Sequence, residues 1–122
     1  NKVIDRLTEL VEKEKTQKPE TGAMTICVTR RNRFVSSSMY KQSYNLSKAV
    51  LNAYVKETGC RKEYIWETDT MSGNNWSKVP TTLIELGYMS NPAEDRRMQN
   101  AAYQKKMVNG MANGIKAYLL GQ

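Results

Sequence analysis

Hydrophobic residues near the start of the chain recur at helical spacing, with charged residues between them. They are Val3, Ile4, Leu7, Leu10 and Val11. This spacing predicts an amphipathic helix over roughly residues 2–16. The segment that follows, TQKPETG, contains a proline and a glycine, which are typical of a turn.

Two segments have the composition of β-strands. AMTICVT, residues 23–29, is apolar and β-branched, which predicts a strand buried on both faces. TTLIEL, residues 81–86, lies between a proline and a glycine and predicts a second strand. KEYIWET, residues 62–68, alternates weakly and fits either a short strand or an extended loop. MSGNNWSKVP, residues 71–80, is predicted to be a loop.

Three further helices are predicted. Residues 37–58 favour a long helix that ends at Gly59, because glycine suits a C-terminal cap. A second helix should begin with Asn91 as its cap and Pro92 as its first residue, and the Glu94 carboxylate is expected to reach back to the cap amide. After a short break, a closing helix has one apolar face, formed by Tyr103, Met107, Val108, Met111, Ile115, Tyr118 and Leu119.

The order of these elements indicates an α/β fold. Strands separated by helices imply a mainly parallel sheet flanked by helices, whose functional edge is normally formed by the carboxyl ends of the strands. Glu85 interrupts an apolar run at the end of the second clear strand, so we expect it at such an edge, partly withdrawn from water. A carboxylate there is either a tolerated surface charge or the working group of a site.

The length and composition fit one folded domain. The chain has 122 residues, of which 39% are hydrophobic and 25% are charged, as in an ordinary soluble protein. No apolar run approaches the roughly 18 to 20 residues that a membrane span needs, and NKVIDRLTEL lacks the apolar core of a secretory signal. We therefore expect no membrane span and no signal peptide in this chain.

The chain is basic, with a net charge of +7 from 19 Lys and Arg against 12 Asp and Glu. This balance favours anionic partners in general, including nucleic acid, phospholipid headgroups and acidic wall polymers. No aromatic-rich RNA motif accompanies the basic clusters, so nucleic-acid binding is only a minor alternative to solvated loops and helix faces. The clusters are Arg30, Arg31 and Arg33, then Arg96 and Arg97, then Lys105 and Lys106.

Cysteine and histidine usage limits the chemistry. Cys27 and Cys60 lie 33 residues apart without a CxxC spacing, so they are either two buried thiols, the preferred interpretation, or one disulfide. The sequence contains no histidine. Any metal-dependent or nucleophilic mechanism must therefore do without imidazole or take it from another chain.

The C-terminal part carries a recognisable pattern. VPTTLIELGYMSNPAEDRRM, followed by YQKKMVNGMANGIKAYL, strongly resembles the end of the zinc-dependent N-acetylmuramoyl-L-alanine amidases, the bacterial wall hydrolases of the amidase 3 family. TGAMTICVT, LSKAVLNAYV and WETDTMSGNNW also look like forms of that family. The resemblance starts at Thr21, so residues 21–122 are interpreted as the C-terminal part of an amidase-like catalytic domain and residues 1–20 as a helix and turn that do not match it.

The resemblance implies a function and a role for one residue. Members of the family cut the amide between the lactyl group of N-acetylmuramic acid and the first L-alanine of the stem peptide, outside the cell or in its wall. A zinc ion held by two histidines and a glutamate activates water, and the glutamate of Glu-Leu-Gly assists as a proton shuttle. Glu85 matches that glutamate, and the alternative is a charge at a strand exit paired with a nearby Arg or Lys.

The family's zinc ligands have no match in this chain. Carboxylates alone, such as Glu63, Glu67 or Asp69, would make a poor zinc site, because zinc prefers nitrogen and sulfur donors. We therefore expect no zinc bound to this chain alone.

Three explanations for the missing ligands remain. The chain is a piece or a gapped form of a full amidase, an inactive half-domain that binds peptidoglycan or a partner protein, or a different fold that reuses these elements. A truncated sheet would leave a bare edge, which invites a homodimer or a partner chain.

Overall fold

The computed structural model describes residues 1–16 and 20–121, with side chains for residues 1–10 and 20–121. The predicted turn after the first helix falls partly on residues 17–19, which lie outside the described residues. The described elements, in chain order, are α1 (Lys2–Thr16), β1 (Ala23–Cys27), α2 (Ser37–Thr58), β2 (Lys62–Glu67), α3 (Ser72–Asn75), β3 (Leu83–Glu85), α4 (Pro92–Gln99) and α5 (Ala101–Leu120).

The chain forms a mixed α/β fold, and its sheet has the order β2-β1-β3. β1 runs parallel to β2 and antiparallel to β3. The expectation of a mainly parallel sheet is therefore not confirmed, because one of the two strand pairs is antiparallel. Between β2 and β3 the chain carries only α3, a helix of four residues, whereas a parallel return normally needs a full crossover helix.

Local capping signals place the helix boundaries where the sequence predicts them. α2 begins after Ser36, whose hydroxyl accepts the Met39 N–H, and it ends at Gly59, which has a φ of 73° and donates its N–H to the Val55 carbonyl. The predicted loop at 71–80 differs in that it contains the single turn α3. The short-strand interpretation of residues 62–68 is confirmed by β2, which covers Lys62–Glu67.

Helices α2 and α5 pack so closely that the contact requires glycine. A Cβ at Gly114 would lie 2.5 Å from the Val50 Cα, and one at Gly110 would lie 2.9 Å from the Tyr54 Cα. The buried stripe of α5 therefore includes both glycines, and the apolar face predicted from spacing was wrong at three positions. Those positions are exposed to solvent, and they are Val108, Ile115 and Leu119.

The two faces of the sheet differ. Thr25 on β1 points to α2, where its hydroxyl donates to the Ser47 carbonyl, and the core on that side contains Ala23, Leu51, Tyr54, Cys60, Tyr103 and Met107. The opposite face leaves Tyr64 and Trp66 of β2 exposed by 55% and 41%. The apolar positions of α1 from Val3 to Leu10 are also exposed, so within the described residues an apolar helix face and an apolar sheet face both meet solvent.

Candidate active site

Glu85 is the last residue of β3 and lies opposite Met24, near the start of β1. Glu85 is therefore at the carboxyl end of its own strand, as predicted. Since β3 is antiparallel to β1, this end lies beside the amino ends of β1 and β2 rather than beside their carboxyl ends. Its side chain is exposed, whereas partial withdrawal from water was expected. The reason is that β3 is a three-residue edge strand whose outward face meets solvent.

Glu85 lines a groove of about 590 Å³ on the uncovered face of the sheet. The groove combines carboxylates with aromatic rings, and within 20–121 its acidic and aromatic lining residues are Glu20, Glu63, Glu85, Tyr64, Trp66 and Tyr88. Flat aromatic walls with hydrogen-bond acceptors suit a ligand that has both apolar faces and donor groups. The groove can therefore receive a peptide or a sugar next to Glu85.

The Glu63 carboxylate contacts two other side chains of the groove region. The Tyr88 hydroxyl donates to its Oε2 over 2.6 Å, and Arg61 Nη1 lies 3.4 Å from its Oε1. The hydrogen bond to Glu63, followed by burial, raises the pKa of Tyr88 above its usual range. Tyr88 consequently keeps its proton at neutral pH, and the pair forms a fixed wall of the groove.

Glu94 fastens the segment that follows Glu85 to the start of β1. It is 5% exposed, its Oε1 accepts the Gly22 N–H over 2.7 Å, and its Oε2 accepts the Tyr88 N–H over 2.7 Å. Asn91 caps α4 as predicted, but its own N–H donates to the Tyr88 carbonyl, so the expected bond from that amide to Glu94 is not formed. The carboxylate goes instead to two amides that have no strand partner and would otherwise be buried unpaired.

Gly22 is required at this junction by its backbone. Its φ is +106°, and a Cβ built there would lie 2.6 Å from the Arg61 carbonyl oxygen. A side chain would therefore clash with the β2 entry while adopting a conformation that L-residues rarely occupy. The glycine allows its amide to approach Glu94 closely.

The described side chains that could ligate a metal ion are not brought together in one site. Among the side chains that the structure describes, those of residues 1–10 and 20–121, no group of three or more His, Cys, Asp or Glu residues could hold a metal ion. Glu67 accepts the Tyr40 hydroxyl, and Asp69 accepts the Thr29 amide, the Thr29 hydroxyl and the Asn32 amide. Cys27 and Cys60 are both buried free thiols. The described donor set therefore does not fit zinc.

Sequence reasoning found Glu85 but missed its surroundings. Glu94 was assigned to a local cap, and nothing in the spacing indicates that its partner Gly22 lies 72 residues away. Glu63 and Tyr88 were not singled out as a pair, because the only signal is the weak alternation of β2 and the aromatic residue after Glu-Leu-Gly.

The chain matches known proteins over most of its length. A family model described as N-acetylmuramoyl-L-alanine amidase matches residues 13–117. The chain is 31% identical over 85 residues to a putative N-acetylmuramoyl-L-alanine amidase of Buchnera aphidicola, covering 68% of this chain and 35% of that protein. It is 30% identical over 84 residues to the N-acetylmuramoyl-L-alanine amidase AmiC of Escherichia coli, covering 69% of this chain and 20% of that protein.

Solved structures show the same fold. The N-acetylmuramoyl-L-alanine amidase from Clostridium difficile 630 superposes with a TM-score of 0.73 at 24% identity, covering 88% of this chain and 53% of that chain. The CwlD amidase from Clostridioides difficile, solved in complex with the GerS lipoprotein, gives a TM-score of 0.74 at 22% identity, covering 88% and 50%. The chain therefore spans about half of these structures and about a fifth to a third of the two curated relatives.

Proposed function

Because the chain belongs to the N-acetylmuramoyl-L-alanine amidase family, we propose that it is part of a peptidoglycan hydrolase. The bond cut is the amide between the lactyl group of N-acetylmuramic acid and the L-alanine of the stem peptide. Such a protein works outside the cell or in its wall, where this substrate lies. In this proposal residues 21–122 supply the C-terminal part of the catalytic domain, and the family match extends upstream to residue 13, within α1.

Glu85 is the proton-transfer group of this proposal. The observation that carries it is an exposed carboxylate inside a groove, on a segment that Glu94 fixes to β1. Among the described residues, no hydrogen-bond donor or cation engages the Glu85 carboxylate, so the paired-charge alternative gains no support. A free carboxylate beside a bound amide can take a proton from water and give it to the leaving amine.

Zinc has no fitting set of ligands in this chain. The family resemblance implies two histidines and a glutamate, whereas this sequence has no histidine, and the carboxylates of Glu63 and Glu67 engage tyrosine hydroxyls. The ligands would have to come from residues outside this chain. When bound, the ion would activate water, and the described residues would contribute the groove and Glu85.

The sheet supports a proposal about how the domain is completed. Within the described residues β2 and β3 each pair on one side only, and the groove face carries exposed Tyr64 and Trp66. Further strands would pair with these edges, and the three-stranded sheet would become part of a larger, mainly parallel sheet flanked by further helices. Alternatively, a second copy of this chain or a partner protein pairs with the open strand edges. The CwlD amidase, which was solved in complex with the GerS lipoprotein, supports a protein partner.

An inactive half-domain that binds peptidoglycan or a partner protein is the second candidate. The specific observation that favours it is the absence of histidine from the whole sequence. Such a module would sediment with purified sacculi without releasing new amine termini. The two candidates therefore differ in a product that can be measured directly.

Muropeptide digestion tests the proposal. The purified chain is compared with a fusion in which the N-terminal half of the Clostridium difficile 630 amidase precedes Thr21. Stem peptide should be released by the fusion, and the Glu85→Gln fusion should be at least roughly 100-fold slower, as expected for loss of a general acid–base group. Glu57→Gln, on the exposed side of α2, is the matched control and should leave the rate unchanged. An unchanged rate in the Glu85→Gln fusion would remove Glu85 from the mechanism.

A further inference from the structure

A pair of aromatic side chains stands exposed at the end of the molecule opposite to Glu85. The rings of Phe34 and Trp76 have centroids 5.6 Å apart, and these residues are 61% and 65% exposed. Val79, in the same loop as Trp76, is 64% exposed. We call Phe34 and Trp76 the aromatic tip. Large apolar side chains exposed together are more often an interaction surface than an accident of folding.

The aromatic tip is held in place rather than hanging on free loops. Asn32 Nδ2 donates to Asp69 Oδ1 over 2.7 Å and to Asn75 Oδ1 over 2.8 Å. Asn75 Nδ2 donates to the Asp69 carbonyl, and the Phe34 N–H donates to Asn32 Oδ1, both over 2.8 Å. These bonds join the loop after β1 to the loop before β3, so the two rings are presented side by side before any partner arrives.

The aromatic tip is surrounded by positive charge. The two segments that carry the tip are residues 28–46, which contain no Asp or Glu, and residues 64–84, whose only carboxylates are Glu67, bonded to Tyr40, and Asp69, bonded to Thr29 and Asn32. Five exposed cations lie on the same segments and outnumber those two acids. They are Arg30, Arg31, Arg33, Lys41 and Lys78.

A cationic groove adjoins this end of the chain. It has a volume of about 580 Å³, and it is lined by two cations, Arg30 and Lys41, and by one carboxylate, Glu67, which accepts the Tyr40 hydroxyl. The Arg30 guanidinium lies 5.8 Å from the centroid of the Tyr40 ring, which keeps the cation at the rim of the groove. The groove is large enough for a phosphate-bearing headgroup beside the aromatic tip.

We propose that the aromatic tip and its flanking cations form a docking site for the surface of an anionic phospholipid bilayer. Tryptophan and other aromatic residues favour the headgroup boundary, and each basic residue near an anionic leaflet adds attraction to the phosphates. A wall polymer would satisfy the cations but offers no apolar surface to the rings, and a nucleic acid could stack its bases on the rings but would leave Val79 in water. The surface of an anionic bilayer offers both charge and hydrocarbon and so accounts for both sets of side chains.

The attachment is peripheral. Among the described residues, none of the helices has the length and apolar character needed to cross a bilayer. β1 has five residues, or about 17 Å, and it separates the aromatic tip at its carboxyl end from Glu85 at its amino end. Docking by the aromatic tip therefore places Glu85 at the end of β1 that is farther from the membrane.

Fluorescence of a single tryptophan tests the proposal directly. The chain has two tryptophans, so Trp66→Phe leaves Trp76 as the only reporter. Vesicles of 30% phosphatidylglycerol in phosphatidylcholine should shift its emission to shorter wavelength, and pure phosphatidylcholine should not. Arg31→Gln/Arg33→Gln should weaken the partition coefficient roughly 30-fold at low salt, since each basic residue contributes about fivefold.

Two further variants distinguish binding through the aromatic tip from a general attraction of the basic chain to anionic vesicles. Lys105→Gln/Lys106→Gln removes the same charge from an exposed part of α5 and should weaken partitioning less than threefold. Phe34→Ser/Trp76→Ser should lower sedimentation with anionic vesicles at least tenfold, while circular dichroism and the melting temperature stay unchanged because both side chains are exposed.

Several results would overturn the proposal. They are an unshifted Trp76 spectrum, equal binding to neutral vesicles, or an equal loss in the α5 control. Binding that depends on Arg31 and Arg33 with purified sacculi or a nucleic acid, but not with vesicles, would assign this surface to a polymer instead.

Discussion

Replacing Glu94 with glutamine tests the connection that holds the Glu85 segment to β1. Glutamine keeps the shape of the side chain but turns one acceptor oxygen into an NH2 group. That group must then face either the Gly22 N–H or the Tyr88 N–H, both of which now donate over 2.7 Å. Because Glu94 is only 5% exposed, water cannot easily replace the lost acceptor.

The cost follows from these contacts. Losing a hydrogen bond to a charged acceptor costs about 1.5–3 kcal/mol, and the buried donor that is left unpaired adds a penalty that overlaps with that loss. Arg97 lies 3.7 Å from Glu94 but its side chain is 43% exposed, so this ion pair adds little. We therefore expect Glu94→Gln to lower the free energy of unfolding by about 3 kcal/mol.

Urea denaturation followed by circular dichroism measures the loss, with an unchanged m-value showing that the native state is intact. Asp95→Asn is the matched control, because its Oδ2 accepts only an exposed bond from Gln99, and it should cost less than about 1 kcal/mol. Amide hydrogen exchange should also quicken at Gly22 and Tyr88 by more than the global loss explains. A free energy of unfolding for the Glu94→Gln protein within about 0.5 kcal/mol of the wild-type value would refute this reasoning. Faster amide exchange confined to Asn91 would refute it as well.

Other predictions concern packing and titration. Gly114→Ala should lower the free energy of unfolding by about 3 kcal/mol in a thermal melt, because its Cβ would lie 2.5 Å from the Val50 Cα. Gly73→Ala, with open space around its Cβ, should change it by less than about 1 kcal/mol, and equal losses would contradict the packing argument. Burial and the hydrogen bond to Glu67 raise the pKa of Tyr40 to about 12. The stability that this bond contributes should be complete below about pH 10, the pKa of tyrosine in the unfolded chain, and it should be lost as the pH rises through 12. Glu67→Gln should lower the pKa of Tyr40, measured by ultraviolet titration, towards 10.

Features that depend on neighbouring residues could be predicted from the sequence. Asn91 and Pro92 start α4, and Gly59 ends α2, because caps are chosen within one helical turn. The direction of β3 could not be predicted, since it depends on how the chain returns after β2 rather than on the composition of the strand. The same holds for the apolar face of α5, where glycines and not large side chains mark the buried stripe.

In the candidate site, too, the local feature could be predicted from the sequence and the long-range arrangement could not. Glu85 was identified by its place in Glu-Leu-Gly, which is a local pattern, and its catalytic role stays a prediction. Its neighbours in the groove come from two other strands and three connecting segments, and no spacing in the sequence brings Glu63, Trp66 and Glu85 together. Exposure of Glu85 likewise follows from the edge position of β3, which only the strand order reveals.

The bond between Gly22 and Glu94 also sets an order of events during synthesis. The two residues are 72 positions apart, so closing that loop costs about 4 kcal/mol of chain entropy before any contact repays it. A ribosome that adds about 5–20 residues per second makes Gly22 several seconds before Glu94. The start of the central strand is therefore made before the residue that fastens it. Until α4 arrives, the Gly22 amide at the start of this strand has no carboxylate to bind.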